Sequence, residues 1–436
     1  VPTSLAHSSA VAPSIDLADD ILVACPDARP PAYQAAIGLA RSGRLDRFAT
    51  GFYHRGPNAA TRLASRFVSG LDRKLSRRHE PEIPSDRVRA FPSFDLALAA
   101  ESRSGLAARS ALARMRTRRF DRNVANLIRR DRPSAIFAFS DVASEFALPL
   151  CRSLGVATIL SMVHGDVREE AEVLERERER SPEFFSIYLG DGPIDRDSLV
   201  WLHRRRLRDL EGADAILVPS DHIRNRLIAH GSDPDRIDVI PYAADTRRFV
   251  PKTDKRHGET CRFVFAGGIT QRKGIKDLLD AWRLVRRPGW SLGLLGAMPR
   301  DASPLSPYRD EFDWLGRVGH SDMPAIMADA DVFVFPSLFE GSAVVTYEAM
   351  ACGLPSIVTA ESGSVARHGR DGLVVPAADP IALAAAMEQL GTDPHLREHM
   401  SRSARQRAES FDWPRYHASI LASIDRTLAA KNGGGA

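Results

Sequence analysis

The feature that most restricts the fold of this chain is a repeated alternation of short apolar runs with longer amphipathic stretches. In the first half the runs are Ile21–Cys25, Ala135–Ser140, Ala157–Val163 and Ala215–Pro219. In the second half they are Arg262–Ala266, Ser291–Leu295, Val332–Pro336, Ser356–Thr359 and Leu373–Val375. Near-continuous apolar strands of about five residues, separated by helical segments, predict parallel sheet covered on both faces. That is α/β doubly wound architecture. Helix starts are punctuated. An amphipathic pattern runs from Gln271 to Trp282, Asp379 is an N-cap before Pro380, and Pro414 opens a last helix after Asp412-Trp413. A chain of 436 residues is too long for one ordinary core. The stretch Pro241–Glu259 turns polar between Pro251 and Gly258, as an interdomain linker does. The reading is therefore a disordered lead-in over 1–20, a first domain over 21–245 and a linker over 246–260. A second domain follows over 261–410, then a closing helix and flexible tail over 411–436 that return to the first domain. Two such domains leave a cleft facing the carboxyl ends of their strands.

The net charge is only +4, so overall charge implies no nucleic-acid partner. Local charge is uneven: residues 55–132 hold 19 Lys/Arg against 8 Asp/Glu, almost all arginine, as at Arg114, Arg116, Arg118 and Arg119. Few aromatics are interleaved, which argues against single-stranded nucleic acid. The run reads either as solvated helix faces or as a basic surface toward an anionic acceptor or a membrane headgroup layer. Cys25, Cys151, Cys261 and Cys352 are far apart and show no zinc or redox spacing, so small buried thiols in a reducing compartment are expected. No window approaches about 18 uninterrupted apolar residues, and the first residues lack the basic start and apolar core of a signal peptide. A cytoplasmic location is expected, with peripheral contact at the inner face of the membrane if the basic surface meets lipid.

The most informative segment runs from Phe335 to Pro355. An apolar strand ends at Pro336, a loop carries Glu340 and Gly341, and a helix begins near Ser342 or Ala343 and ends before Gly353. A helix opening presents free N–H groups and a positive dipole end to a phosphate, and Gly341 lets a ligand approach the backbone. Glu348, inside the helix, can accept two hydrogen bonds from a diol such as ribose. Taken alone, two glutamates here are as well explained by an exposed helix residue and a dipole-favoured loop carboxylate.

The segment resembles the E-x7-E region of glycosyltransferase family 4, the retaining transferases of the GT-B fold. Pro336, Ser337, Glu340, Gly341, Glu348, Ala349, Met350, Ala351, Gly353 and Pro355 all match the family pattern, while Ala343 stands where many members have glycine. Ser362-Gly363-Ser364 and Arg370 to Pro376 resemble the family's downstream block. Gly267 to Ile275 resembles the upstream loop, where an arginine and a lysine neutralise the donor diphosphate. Lys273 is retained there. Gly268 stands near the place of the usual arginine, so that contact is missing or supplied by Arg272. Glu211–Ser220 and Ile240–Asp245 resemble the last strands of the first domain, with Ala243-Ala244 in place of the usual glycine-valine. The resemblance covers roughly residues 135 to 430.

What the resemblance implies is a GT-B enzyme of two Rossmann-like domains that moves a sugar from a nucleotide-diphosphate sugar to a glycan, lipid or small-molecule acceptor with retained configuration. Lys273 and the helix start at Ser342, Ala343 and Val344 would hold the diphosphate, Glu348 the ribose, and Glu340 the sugar. His164, at the end of the third apolar run, would reach the transferred sugar. The first loop departs from the family: Cys25-Pro26-Asp27 replaces a Gly-Gly pair, and proline removes donors. No carboxylate cluster offers a divalent-metal site, so no cofactor beyond the donor substrate is expected. Glu169-Glu170 and the charged run Glu172–Arg180 read as a solvated helix or a mobile flap. A catalytically silent nucleotide-sugar-binding homologue is the competing expectation, motivated by Gly268 and Pro26. No complete G-x-G-x-x-G follows Ile21–Cys25, which disfavours a dinucleotide-dependent dehydrogenase.

Overall fold

The computed structural model describes residues 20–27, 30–56, 78–101, 104–189, 196–252, 260–319 and 321–433. The expected lead-in, apart from Asp20, lies outside them, as do the polar centre of the linker, the first third of the arginine-rich stretch and the last residues of the tail. Two parallel sheets organise the rest. The first has seven strands in the order β3-β2-β1-β4-β5-β6-β7. These are β1 Ile21–Ala24, β2 Leu45–Thr50, β3 Val88–Ala90, β4 Ala135–Phe139, β5 Ala157–Ser161, β6 Ala215–Val218 and β7 Ile237–Val239. The second has six in the order β10-β9-β8-β11-β12-β13: β8 Cys261–Ala266, β9 Trp290–Leu295, β10 Asp313–Gly316, β11 Val332–Phe335, β12 Ser356–Val358 and β13 Gly372–Val374. Every apolar run of the sequence forms a strand. β2, β3, β7 and β10 lie outside those runs. β2 carries Asp46 and Arg47, β3 and β7 have three residues each, and β10 is a largely exposed edge.

Burial on both faces explains the continuous apolar strands. All of β1, β4, β5, β6 and β11 is buried. In the second sheet Phe265 stacks on Phe335 at 5.6 Å and Phe333 on Phe335 at 5.9 Å; each such buried ring contributes about 1.5–3 kcal/mol. The Pro380–Thr392 helix is capped as expected, Asp379 accepting the Ala382 amide. The Gln271 pattern is corrected: Gln271–Lys273 is a single 3-10 turn, and the α-helix spans Ile275–Val285. Gly274 divides them at φ +69, where a Cβ would lie 2.0 Å from the Pro336 carbonyl oxygen. The four cysteines are free and buried. Among the described residues no helix is long and apolar enough to cross a membrane.

The domains touch along the cleft. The Val167–Arg180 helix, read as solvated, instead buries Glu169, Glu170 and Glu177. Glu170 pairs with Arg206, Glu177 accepts from Gln271 of the second domain, and Arg180 grips Asp277 through two bonds of 2.6 and 2.9 Å. The closing helix, Trp413–Gly433, packs on the Pro30–Arg41 helix and β5 of the first domain. Ser423 donates to Asp238 and Lys431 to Asp214, both of that domain.

Candidate functional site

Strand order reverses between β8 and β11 in the second sheet and between β1 and β4 in the first, and ligands of open α/β sheets bind beyond the carboxyl ends at such reversals. At the β8/β11 reversal the loop after β11 is sewn to the turn after β8. Leu338 N–H and Ser337 Oγ both donate to the Arg272 carbonyl, at 2.9 and 3.2 Å, and Thr359 Oγ1 donates to the Ser337 carbonyl at 2.6 Å. The missing side chain of Gly274 permits this approach. As a result the Lys273 ammonium meets the Glu340 carboxylate, and it sits 4.9 Å over the Phe335 ring. Burial pushes the Lys273 ammonium well below its ordinary range and Arg272 adds to the push; the touching carboxylate acts the other way.

These groups wall a cavity of about 640 Å³, lined by Gly268, Lys273, Arg317, Glu340, Ser342, Ala343, Val344 and Val345 among others. A cavity of nearly equal size, about 630 Å³, opens by Thr158, Asp214 and Asp238. It lies at the amino-terminal ends of β5, β6 and β7, away from the carboxyl ends at which open α/β sheets bind ligands, so strand direction and not size decides between them. The helix that opens into the first cavity is Val344–Ala351, starting one or two residues later than expected. Ala343 N–H already donates to the Ser362 carbonyl at 3.1 Å, and Ser342 Oγ to the Gly363 carbonyl at 2.7 Å. The amides left for a ligand are those of Val344 and Val345, which have no intrahelical acceptor in the first turn. On the other bank, a Cβ on Gly341 would lie 2.2 Å from the Val163 carbonyl oxygen, and one on Gly165 would lie 2.5 Å from the Phe339 ring. His164 is thereby held against Glu340-Gly341, with Nε2 3.6 Å from Asp141 at the end of β4.

The model of the family described as Glycosyltransferase Family 4 matches residues 64–248, and that described as Glycosyl transferases group 1 matches residues 260–393. The chain belongs to the family 4, group 1 glycosyltransferases. A D-inositol 3-phosphate glycosyltransferase of Pseudarthrobacter chlorophenolicus is 33% identical over 263 residues, 54% of this chain and 61% of that protein. The chain spans about three fifths of the length of this relative and of two further D-inositol 3-phosphate glycosyltransferases. Its fold is GT-B. Sucrose-phosphate synthase from Thermosynechococcus elongatus superposes with a TM-score of 0.66 at 18% identity, covering 94% of this chain and 99% of that one. Anabaena HepE, solved in complex with UDP-glucose, superposes with a TM-score of 0.59 at 16% identity, covering 93% and 99%.

Of the residues singled out in this family 4 chain, Lys273, Glu340, Gly268, Ser342, Ala343 and Val344 share one cavity, with Gly341 and His164 beside it. Two do not line it. Arg272 lies outside the lining, its N–H donating to the Tyr188 carbonyl. Glu348 is buried one turn along the helix from Val344, on the same face. Two residues were missed. Arg317, after β10, is an exposed second cation on the wall. Asp141, after β4, has φ +73, a conformation rare for a side-chain-bearing residue. Neither belongs to a local motif; only the sheet order brings them to the cleft.

Burial raises the Glu348 carboxyl to about 7, against the opposing pull of Arg248. The folded state thus keeps a proton that the unfolded chain has released above its ordinary pKa. This stabilisation is present at acid pH and is lost as pH rises through about 7. Asp209, also raised to about 7 by burial and by Asp141, titrates in the same window. The difference between wild type and Glu348→Gln isolates Glu348: the variant should gain roughly 2–3 kcal/mol at pH 8 relative to pH 5. Urea titrations at the two pH values measure this, and equal pH dependence would refute it.

Proposed function

We propose that this chain transfers a sugar from a nucleotide-diphosphate sugar to an acceptor hydroxyl with retained configuration. The observation that carries the reading is the joining of Lys273, Glu340 and a helix opening on one wall at the β8/β11 reversal. The diphosphate sits on the Val344 and Val345 amides and Lys273, whose partly dehydrated ammonium gains most from a dense negative charge. Arg317 takes the place of the arginine absent at Gly268. Glu348 holds the ribose from below the helix opening, and Glu340 faces the sugar. The acceptor oxygen bonds to the anomeric carbon as the bond from that carbon to the diphosphate oxygen breaks. The electron pair leaves with the diphosphate, and the acceptor proton passes to it on the same face. His164, held by Asp141, orients the sugar. The neighbour solved with UDP-glucose supports a uridine nucleotide as the first donor to test. The acceptor belongs to glycan, polysaccharide or glycolipid synthesis, and the work is done in the cytoplasm without a metal.

Release of nucleoside diphosphate from a panel of sugar nucleotides tests the reading, paired with thermal shift, since a true donor stabilises the folded state. Stabilisation without release would favour the silent homologue, which Gly268 motivates; neither response would remove the site. A Cβ at Gly268 would touch only Thr270 Cγ2, at 3.7 Å. Gly268→Arg is therefore expected to fold and to lower the donor KM about tenfold, the effect of one added charge-assisted contact. An unchanged KM would place the diphosphate elsewhere.

A further inference from the structure

The second domain does not complete the donor wall alone. Lys273 stands third in a 3-10 turn whose first two amides have no acceptor within that turn. The first domain supplies both acceptors. Gln271 N–H donates to the Ile187 carbonyl at 3.2 Å, and Arg272 N–H to the Tyr188 carbonyl at 3.1 Å. Those carbonyls lie just past the Pro182–Phe185 helix, where C=O groups are left over for the same reason. Resting on the transferase reading, we propose that the segment 173–188 is a clasp that builds the Lys273 turn from across the cleft, and that Gln271 is the positioning residue through which it acts.

The side chain of Gln271 is fully buried. Its Nε2 donates to Glu177 of the first domain at 2.6 Å, and its Oε1 accepts the Lys276 amide at 3.0 Å. One carboxamide thus ties the first domain to the opening of the Ile275–Val285 helix, with Lys273 between the two tied residues. Charge closes the same joint. Arg180 bonds to Glu177 at 2.8 Å and to Asp277 at 2.6 and 2.9 Å. Glu177 and Asp277 are each 2% exposed, and no other cation among the described residues pairs with either. Apolar packing extends the joint to the other side of the wall. Val173, Leu174 and Tyr188 cluster with Leu338 and Phe339 of the loop that carries Glu340, and the Phe184 ring sits 6.0 Å from that of Tyr308. The clasp therefore touches both the lysine turn and the glutamate loop. Its withdrawal would leave the Gln271 and Arg272 amides and two carboxylates in need of water or new partners. Lys273 would then have no fixed place from which to meet a diphosphate. An engaged clasp and a bound diphosphate favour each other, each to the same extent.

The test begins without any sugar nucleotide. Amide exchange, read by mass spectrometry on the full chain, follows the peptide spanning residues 267–274. Gln271→Glu sets a third carboxylate against Glu177 and Asp277 and should speed that exchange at least about tenfold. Combining Glu177→Gln with Gln271→Glu exchanges donor and acceptor at constant net charge. The pair should return exchange to within about twofold of wild type, a rescue that a packing defect would not allow. Arg180→Gln should match Gln271→Glu, and it serves alone if the latter does not fold. Arg178→Gln, on the exposed side of the same helix, should change nothing. Calorimetric titration with UDP and UMP then reads Lys273. Gln271→Glu, or Arg180→Gln in its place, should weaken UDP at least about tenfold and UMP less than about threefold, because the loss falls on the group that grips the second phosphate. Wild-type exchange in either variant that folds, no recovery in the exchanged pair, or equal losses for UDP and UMP overturns the proposal. Exchange that follows expectation in a chain that binds no UDP and turns over no sugar nucleotide would sink the transferase reading and leave the clasp standing.

Discussion

Exchange of Gly341 for alanine is expected to cut turnover at least a hundredfold while both domains stay folded. The new Cβ would lie 2.2 Å from the Val163 carbonyl oxygen and 3.2 Å from the His164 amide nitrogen. All these neighbours are main-chain atoms, so no side chain can swing aside and the banks of the cleft must part. Gly341 does not occupy the left-handed region, so alanine suits its local backbone and leaves each core untouched. A displacement of about 1 Å at a reacting centre costs on the order of 10²-fold in rate. Stability should fall by about 1–3 kcal/mol, as for overpacking at a buried position. Steady-state kinetics, a urea titration and the solution radius of gyration check the three parts. Wild-type turnover in this variant would mean that the contact between Gly341 and Val163 plays no part in the active state.

Lys273→Met is expected to lower turnover by about 10²–10³, the scale of losing one group that neutralises charge growing on a leaving group. It should also destabilise the protein, because Glu340 then keeps its charge in a largely buried place without its partner. Removing one member of a buried pair costs about 3–5 kcal/mol, and about half of that is expected here because the cavity admits water. Adding Glu340→Gln to Lys273→Met should recover most of the stability and none of the activity. That split separates a packing role from a chemical one. Recovery of activity in the double variant would show that the pair acts only as a brace.

Much of this architecture was legible because it depends on local rules. A strand buried on both faces is apolar for most of its length, so nine of the described strands announce themselves. β2 and β10 do not, since an edge or next-to-edge strand tolerates Asp46, Arg47 or an exposed Trp314. That Lys273 and Glu340 come to one cavity was expected from the family resemblance; that their side chains meet was not. Gly274 and Gly341 mark the places where backbone must come close, and both sit next to the charged group they position. Arg317 and Asp141 reach the cleft only through the order in which strands pair. The engaged amide of Ala343 was hidden likewise, because its acceptor, Ser362, belongs to a turn after the next strand. Arg272 misleads for the opposite reason. It neighbours Lys273 in sequence, but within one 3-10 turn adjacent side chains diverge.

The return of the Trp413–Gly433 helix to the first domain has a mechanical consequence. The polypeptide crosses between the bodies twice, once after β7 and once just before Trp413, so they are joined by two struts rather than one. A double hinge swings open and shut about a single axis and resists torsion. Gly341 and Val163 are therefore expected to come together in the same register at every closure. A protease that severed the chain between β7 and β8 would leave the second strut intact, and the two fragments would remain a single particle.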